Sequence, residues 1–270
     1  MNLFDGKQLA GQVLKEAREL MGAKKLSLGI VVAGDDPATR AFVAQKEKRG
    51  AELGVDVRVY EESVSQTSRK LRRRIAELVK KTKHDGWVVQ LPLPEGMNTQ
   101  YVLNAIPEVK DVDVLNQKSV GAFVAGRAKV LPPVVGAVKT LLESQNISLA
   151  NKKIVLVGTG RLVGRPVALW LISQDLPFSS LTFQSPNLSI LKEADIIISG
   201  AGQPGLIHGE IVKDGAVVID AGTSELSEKL VGDVDQASFE SKDGWLSPVP
   251  GGVGPLTVAY IFKNLAVLAL

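Results

Sequence analysis

Short apolar runs of strand length alternate with helix-period segments along almost the whole chain, and this alternation limits the fold more than any other feature. Residues 26–33 form one such run, which ends at the turn signal Gly34-Asp35-Asp36-Pro37. A helical stretch over about 38–53 stops at Gly54, and residues 55–60 alternate as a strand. Leu71, Ile75, Leu78 and Val79 recur at the spacing of one helix face. Residues 87–91 read as a buried strand closed by Pro92 and Pro94. A second series follows a loop-like region near 110–132. It comprises a helix around 138–142, a strand at 153–157, a Gly-rich turn, a helix over about 164–173, and strands at 181–183, 195–199 and 216–219. Strands joined through helices pair in parallel, so the class is α/β.

A length of 270 residues suggests two domains, on a prior of roughly 150 residues each. The boundary is expected within 126–133. Residues 1–130 then make the first domain and 131–254 the second, with a final helix over 255–270 packing back onto the first. Pro255 suits the first position of that helix.

Composition removes several chemistries. The chain has no cysteine, which excludes disulfides, thiolate metal sites and cysteine nucleophiles, and fits a reducing, cytoplasmic setting. With only His84 and His208, both read as surface residues, a His-rich site is excluded and no metal is expected. Neither a G-x-S-x-G elbow nor an H-E-x-x-H helix occurs. The N-terminus shows no signal-peptide pattern, and no apolar run approaches the roughly 20 residues needed to span a bilayer, so no membrane partner is expected. The formal charge of +3 suits an anionic ligand without indicating nucleic acid. Eight Lys and Arg residues between Arg69 and Lys83 read as the solvated face of a helix; binding of an anionic tail or nucleic acid there is the lesser alternative.

The turn Gly158-Thr159-Gly160-Arg161-Leu162-Val163-Gly164 lies between a strand and a helix, the context that a dinucleotide fingerprint requires. Its glycines permit a tight turn and close approach to a pyrophosphate, and the helix start offers unpaired N–H groups. The spacing is one residue longer than the usual fingerprint. The end of the next strand, read as Phe183-Gln184-Ser185, carries no acid for a ribose 2′-hydroxyl. That leans toward NADP over NAD, with Arg161 and Ser185 as phosphate partners.

In the first half, Phe42 and Lys46 stand four residues apart on one helix face. A lysine buried beside an aromatic ring has a lowered pKa and suits proton transfer; the alternative is a surface lysine. Gln90 places an amide at the carboxyl end of an apolar strand, where α/β sheets bind ligands. Asp111 and Asp113 form an acidic pair in a loop, fit either for acid/base work and ligand ring nitrogens or for turn capping. Pro250-Gly251-Gly252-Val253-Gly254-Pro255 is a rigid stretch with little side-chain bulk, which lets a flat ligand approach the main chain.

Together these segments resemble the methylenetetrahydrofolate dehydrogenase/cyclohydrolase family. The anchors run in order: residues 36–46, Val89-Gln90-Leu91-Pro92-Leu93-Pro94, Lys110-Asp111-Val112-Asp113, Val163-Gly164-Arg165-Pro166, Gly202-Gln203-Pro204-Gly205, Val218-Ile219-Asp220, residues 229–235 and the Pro-Gly-Gly-Val-Gly-Pro loop. The resemblance implies a folate-cleft domain followed by a Rossmann-like NAD(P) domain, usually in a homodimer. It implies a folate substrate, Lys46 as the catalytic lysine, Gln90 assisting it, Asp113 holding the pterin, and Phe42, Pro250, Gly251 and Gly252 bordering the substrate. The nucleotide is expected on Gly158, Thr159, Gly160, Arg161, Gly164 and Ser185. Several positions depart from the family pattern. Phe42 replaces a tyrosine, Val114 a glycine, Pro133 and Val134 a cysteine-threonine pair, Gly160 a serine and Gln184 a histidine. A chain that retains folate or partner binding with weak or single activity is the alternative reading.

Overall fold

The computed structural model describes residues 1–34, 37–182, 187–226 and 229–270. In chain order the elements are β1 (Asn2–Leu3), α1 (Gly6–Met21), β2 (Ser27–Val32), α2 (Pro37–Leu53), β3 (Asp56–Glu61), α3 (Ser68–Lys81), β4 (Gly86–Val89), α4 (Thr99–Leu103), α5 (Gln117–Val124) and α6 (Pro133–Ser144). There follow β5 (Ile154–Val157), α7 (Gly164–Ser173), β6 (Phe178–Leu181), β7 (Ile196–Ser199), β8 (Val217–Asp220), β9 (Ser224–Leu226), β10 (Lys229–Val231), β11 (Trp245–Ser247) and α8 (Val253–Leu268).

Contacts divide the chain into two units. Residues 12–133 and 258–270 form one, around a parallel sheet ordered β3-β2-β4. Trp87, Val31, Leu71, Ile75 and Leu103 fill its core. Trp87 fits because the neighbouring strand offers Gly29, where a Cβ would stand 2.6 Å from the indole ring. The apolar face of α3 is Leu71, Ile75 and Leu78, and Thr67 caps its start by accepting from the Lys70 amide.

Residues 1–11 and 134–257 form the other unit, around a six-stranded parallel sheet ordered β1-β11-β8-β7-β5-β6. Its central strands β5, β7 and β8 are buried along their whole length, so they read as unbroken apolar runs. Val155, Ile197, Val218, Leu191 and Phe239 pack its core. The antiparallel pair β9–β10 stands apart from that sheet.

Several expectations need correction. Residues 1–11 do not belong with the rest of the first half, because β1 pairs in parallel with β11, Asn2 opposite Trp245. The second strand of the second series is β6, which starts three residues earlier than expected. Phe178-Ser179-Ser180-Leu181 looks too polar for a strand, but β6 is an edge strand of the sheet and both of its serines are exposed. Gln184 and Ser185 lie outside the described residues. The region read as a loop contains α5, whose start is capped by Asn116 accepting from the Lys118 amide. The last helix begins at Val253, so Pro255 occupies the first turn rather than the first position; an N–H there would have no intrahelical partner anyway.

His84 is not a surface residue. It is 5% exposed, and its Nε2 lies 2.7 Å from the Tyr60 hydroxyl. Its polar neighbours Lys83 and Asp85 conceal the fact that, two residues before β4, it packs against Trp87 with ring centroids 5.1 Å apart. His208 is exposed beside Asp235. Among the described residues no helix is long and apolar enough to cross a membrane.

Candidate active site

Both sheets contain a point where the chain changes direction. In one, β3 and β4 flank β2; in the other, β6 and β7 flank β5. Ligands of open α/β sheets bind beyond the carboxyl ends of strands at such points.

In the three-stranded unit, Gln90 follows β4 directly, and its amide donates to the Val31 carbonyl at 2.9 Å. Its side chain is buried and accepts at Oε1 from Lys46 Nζ at 2.7 Å, while its Nε2 donates to the Leu91 carbonyl at 2.9 Å. Lys46 comes from α2 and is 7% exposed. Its Nζ stands 6.0 Å from the Phe42 ring centroid, so the helix spacing does bring these two side chains together. Burial pushes the Lys46 ammonium below the ordinary lysine value, and the Asp113 carboxylate partly restores it. Asp113 is half-buried, and its pKa is raised to about 6 by desolvation; Lys46 opposes the rise and Asp111 adds to it.

The segment carrying Asp113 is held from several sides. Asp111 bridges to Trp87 of β4 and accepts from the Asn116 amide at 2.8 Å. Asn264 of α8 donates to the Val112 carbonyl and to the Leu131 carbonyl, both at 2.8 Å. No motif in the sequence marks Asn264. Its signal was a polar amide within a helix otherwise buried at Leu256, Ala259, Ile261, Phe262 and Leu265.

Val114, next in the chain, has φ +57° and is 3% exposed. This is the left-handed region, which a β-branched residue enters at a cost of roughly 1–2 kcal/mol. Glycine would relieve that strain and lose a buried side chain worth about 1.5–3 kcal/mol. Val114→Gly should therefore change stability by no more than about 1 kcal/mol in urea unfolding, whereas Val112→Gly, fully buried without positive φ, should cost on the order of 2–4 kcal/mol. Equal losses would show that Val114 stores no strain.

In the six-stranded unit, the Gly-rich turn joins β5 to α7. Gly158 has φ +88°, and a Cβ there would stand 2.7 Å from the Gly200 carbonyl oxygen. A Cβ at Gly164 would overlap the Gly158 carbonyl. These two glycines are thus obligatory, one for the turn and one for helix–strand approach. Thr159 and Gly160 are exposed at the tip, while Arg161 is half-buried. Burial and the like charge of Arg165 both lower the Arg161 pKa, so two cations stand at the head of α7. The turn and cations fit an anionic dinucleotide. Pro250 is exposed, Gly251 has φ +118°, and the buried Gly252 donates from its amide to the Pro248 carbonyl at 2.7 Å. Pro133 and Val134 are buried, so those departures place apolar packing at the start of α6.

Residues 4–113 match the catalytic domain of tetrahydrofolate dehydrogenase/cyclohydrolase, and residues 132–270 match its NAD(P)-binding domain. The chain belongs to the tetrahydrofolate dehydrogenase/cyclohydrolase family. It is 38% identical over 270 residues to a bifunctional protein FolD from Methanospirillum hungatei, covering 99% of this chain and 97% of that one. Among solved structures of the family, the bifunctional FolD enzyme of Campylobacter jejuni superposes with a TM-score of 0.91 at 33% identity, covering 100% and 98% of the two chains. The Trypanosoma brucei dehydrogenase-cyclohydrolase, solved with NADP and an inhibitor, also gives 0.91, at 31% identity and covering 99% and 96%. The family's two-domain α/β architecture, with a Rossmann-like second domain, is therefore that of this chain.

Proposed function

We propose that the chain oxidises methylenetetrahydrofolate to methenyltetrahydrofolate with a nicotinamide dinucleotide and then hydrolyses the product to formyltetrahydrofolate. The observation that carries this reading is the buried Lys46–Gln90 hydrogen bond beside Asp113, in a chain matched by both domains of the family. The dinucleotide supplies the hydride acceptor when bound. For that step the protein's task is to hold the folate, because the folate nitrogen lone pair drives hydride out and positioning outweighs acid or base. Gly158, Thr159, Gly160, Arg161 and Gly164 hold the dinucleotide in this reading, and Phe42, Pro250, Gly251 and Gly252 border the folate.

Hydrolysis does need a proton acceptor. Water adds to the methenyl carbon and loses one proton to Lys46 Nζ, which passes it to solvent; the carbinolamine then collapses to the formyl group as one ring C–N bond breaks, the hydroxyl proton ending on the leaving nitrogen. A lysine with its ordinary pKa would be charged and useless here; burial makes the neutral amine accessible. Gln90 Oε1 fixes one N–H of Lys46 and so aims the lone pair. Asp113, when ionised, accepts the pterin ring N–H donors.

NADP rather than NAD is supported by Arg161 and Arg165, two cations suited to a 2′-phosphate. Ser185, the other proposed phosphate partner, lies outside the described residues. The reading extends to a cytoplasmic homodimer, which sedimentation tests. Formation of reduced nicotinamide on mixing with methylenetetrahydrofolate, followed by loss of the methenyl absorbance, tests the activity; kcat/KM should be higher with NADP. No reduced nicotinamide with either cofactor would defeat the proposal.

Gly160 has room for more. A Cβ would meet only the Gly200 carbonyl oxygen, at 3.9 Å, and the backbone is not left-handed. Gly160→Ser adds a donor where a phosphate is expected. A hydrogen bond to a charged group contributes about 1.5–3 kcal/mol, so cofactor Kd should fall roughly tenfold or more by calorimetry. An unchanged Kd would place the phosphates elsewhere.

A further inference from the structure

The six-stranded unit contains two fully buried carboxylates, Asp220 and Asp233, to which the folate chemistry assigns no task. Asp220 ends β8. It accepts at Oδ1 from the Gly222 amide at 2.9 Å and the Asp233 amide at 3.1 Å, and at Oδ2 from the Val234 amide at 2.9 Å. Asp233 follows β10. It accepts at Oδ2 from the Ser199 hydroxyl at 2.6 Å and the Ala201 amide at 2.7 Å, and at Oδ1 from the Gln203 amide at 2.8 Å. All six donors are neutral. Gly222 and Gly232 leave room for the pair: a Cβ on the first would overlap the Asp233 carboxylate, and on the second the Asp220 carboxylate. Two buried charges are a costly way to close a turn that a hydroxyl or amide could close.

Asp220 ties the Asp233 segment to the end of β8, and Asp233 in turn holds a segment that lies beside the Gly-rich turn. Residues 200–203 leave the carboxyl end of β7, and the Gly200 amide donates to the Val157 carbonyl at 2.9 Å. Gly200 is so close to Val163 of the Gly-rich turn that a Cβ would stand 2.4 Å from the valine Cβ. The Gly-rich turn and residues 200–203 therefore face each other across the β5–β7 switch point. Asp233, reaching in from a distant segment, holds three donors within residues 199–203.

We propose that Asp233 is a positioning residue for the dinucleotide: it holds residues 199–203 against the Gly-rich turn and so sets cofactor affinity without touching the reacting atoms. This rests on the dinucleotide reading given above. Asp233→Asn keeps the shape but turns an NH2 group toward donors. Its KM for the cofactor should rise roughly 10- to 100-fold, the loss expected from one or two charge-assisted hydrogen bonds, with kcat at saturating cofactor within about threefold of wild type. Asp195→Asn is the control. Asp195 stands at the amino end of β7, where it accepts from the Lys153 amide and pairs with Lys213. Its loss should lower the Tm and leave the cofactor KM unmoved. Should Asp233→Asn fail to fold, Ser199→Ala removes one donor of the three and should raise KM about three- to tenfold. An equal rise in KM for Asp195→Asn, or a loss of kcat at unchanged KM in the Asp233 or Ser199 variant, would overturn the proposal. Wild-type reduction of NADP in the same assays keeps the dinucleotide reading separate from this outcome.

Discussion

Lys46→Met is expected to lower methenyltetrahydrofolate hydrolysis by about 10²–10⁴-fold, the usual contribution of a positioned proton acceptor. Folate should still bind, because Asp113 and the Phe42 ring remain. The variant also removes the cation that holds the Asp113 carboxyl down, so that group should titrate above its wild-type value of about 6. Folate affinity, which depends on ionised Asp113, should then fall off at a higher pH than in the wild type. Two readouts thus move together: the hydrolysis rate collapses, and the acid limb of folate binding shifts upward. Hydrolysis at the wild-type rate would remove Lys46 from the chemistry.

Asp113→Asn should cost function and gain stability. Losing a carboxylate that accepts pterin N–H donors should weaken folate binding on the order of a hundredfold. The stability sign follows from the raised pKa. A carboxyl whose folded value lies above its unfolded one favours the fold while protonated, and that contribution is lost as pH rises through about 6. At pH 8 the wild type therefore holds an ion in a desolvating place, and the value of about 6 already includes the attraction of Lys46. Asparagine removes the ion. The variant should be more stable at pH 8 by roughly 1–3 kcal/mol, allowing for partial exposure, with the difference shrinking toward acid pH. Urea unfolding at several pH values reads this; a variant less stable at pH 8 would contradict it.

The buried strands were legible because a strand covered on both faces is a continuous apolar run, as in β2, β4, β5, β7 and β8. Strands at and near the edges of the six-stranded sheet were not. β6 carries two serines, β1 is two residues long and pairs only with β11, and β11, between β1 and β8, is three residues long. Helix α1 was missed although Ala10, Val13, Leu14, Ala17 and Met21 mark one face at helical spacing. Of the site, Lys46, Phe42 and Gln90 were readable because helix spacing and a strand end place them locally. Asn264 and Asp233 were not, because each acts on a segment distant in sequence. Asn264 reaches Val112, 152 residues away, and Asp233 reaches Ser199, 34 residues away. Sequence reasoning sees the residue and not the carbonyl or hydroxyl it meets. His84 shows the opposite error, since charged neighbours made a buried ring look like surface.

Hydrolysis in this enzyme depends most on the protonation state of one amine, Lys46 Nζ. Isotope-edited NMR of the lysine side chains, with the Lys46 signal assigned by its absence in Lys46→Met, measures its titration directly. The Lys46 pKa should lie below 10.5 and coincide with the pH at which hydrolysis rises above the buffer rate, and it should fall further in Asp113→Asn, where the charge that supports the ammonium is gone. A Lys46 that titrates at or above 10.5, or a hydrolysis profile that does not follow it, would contradict the account.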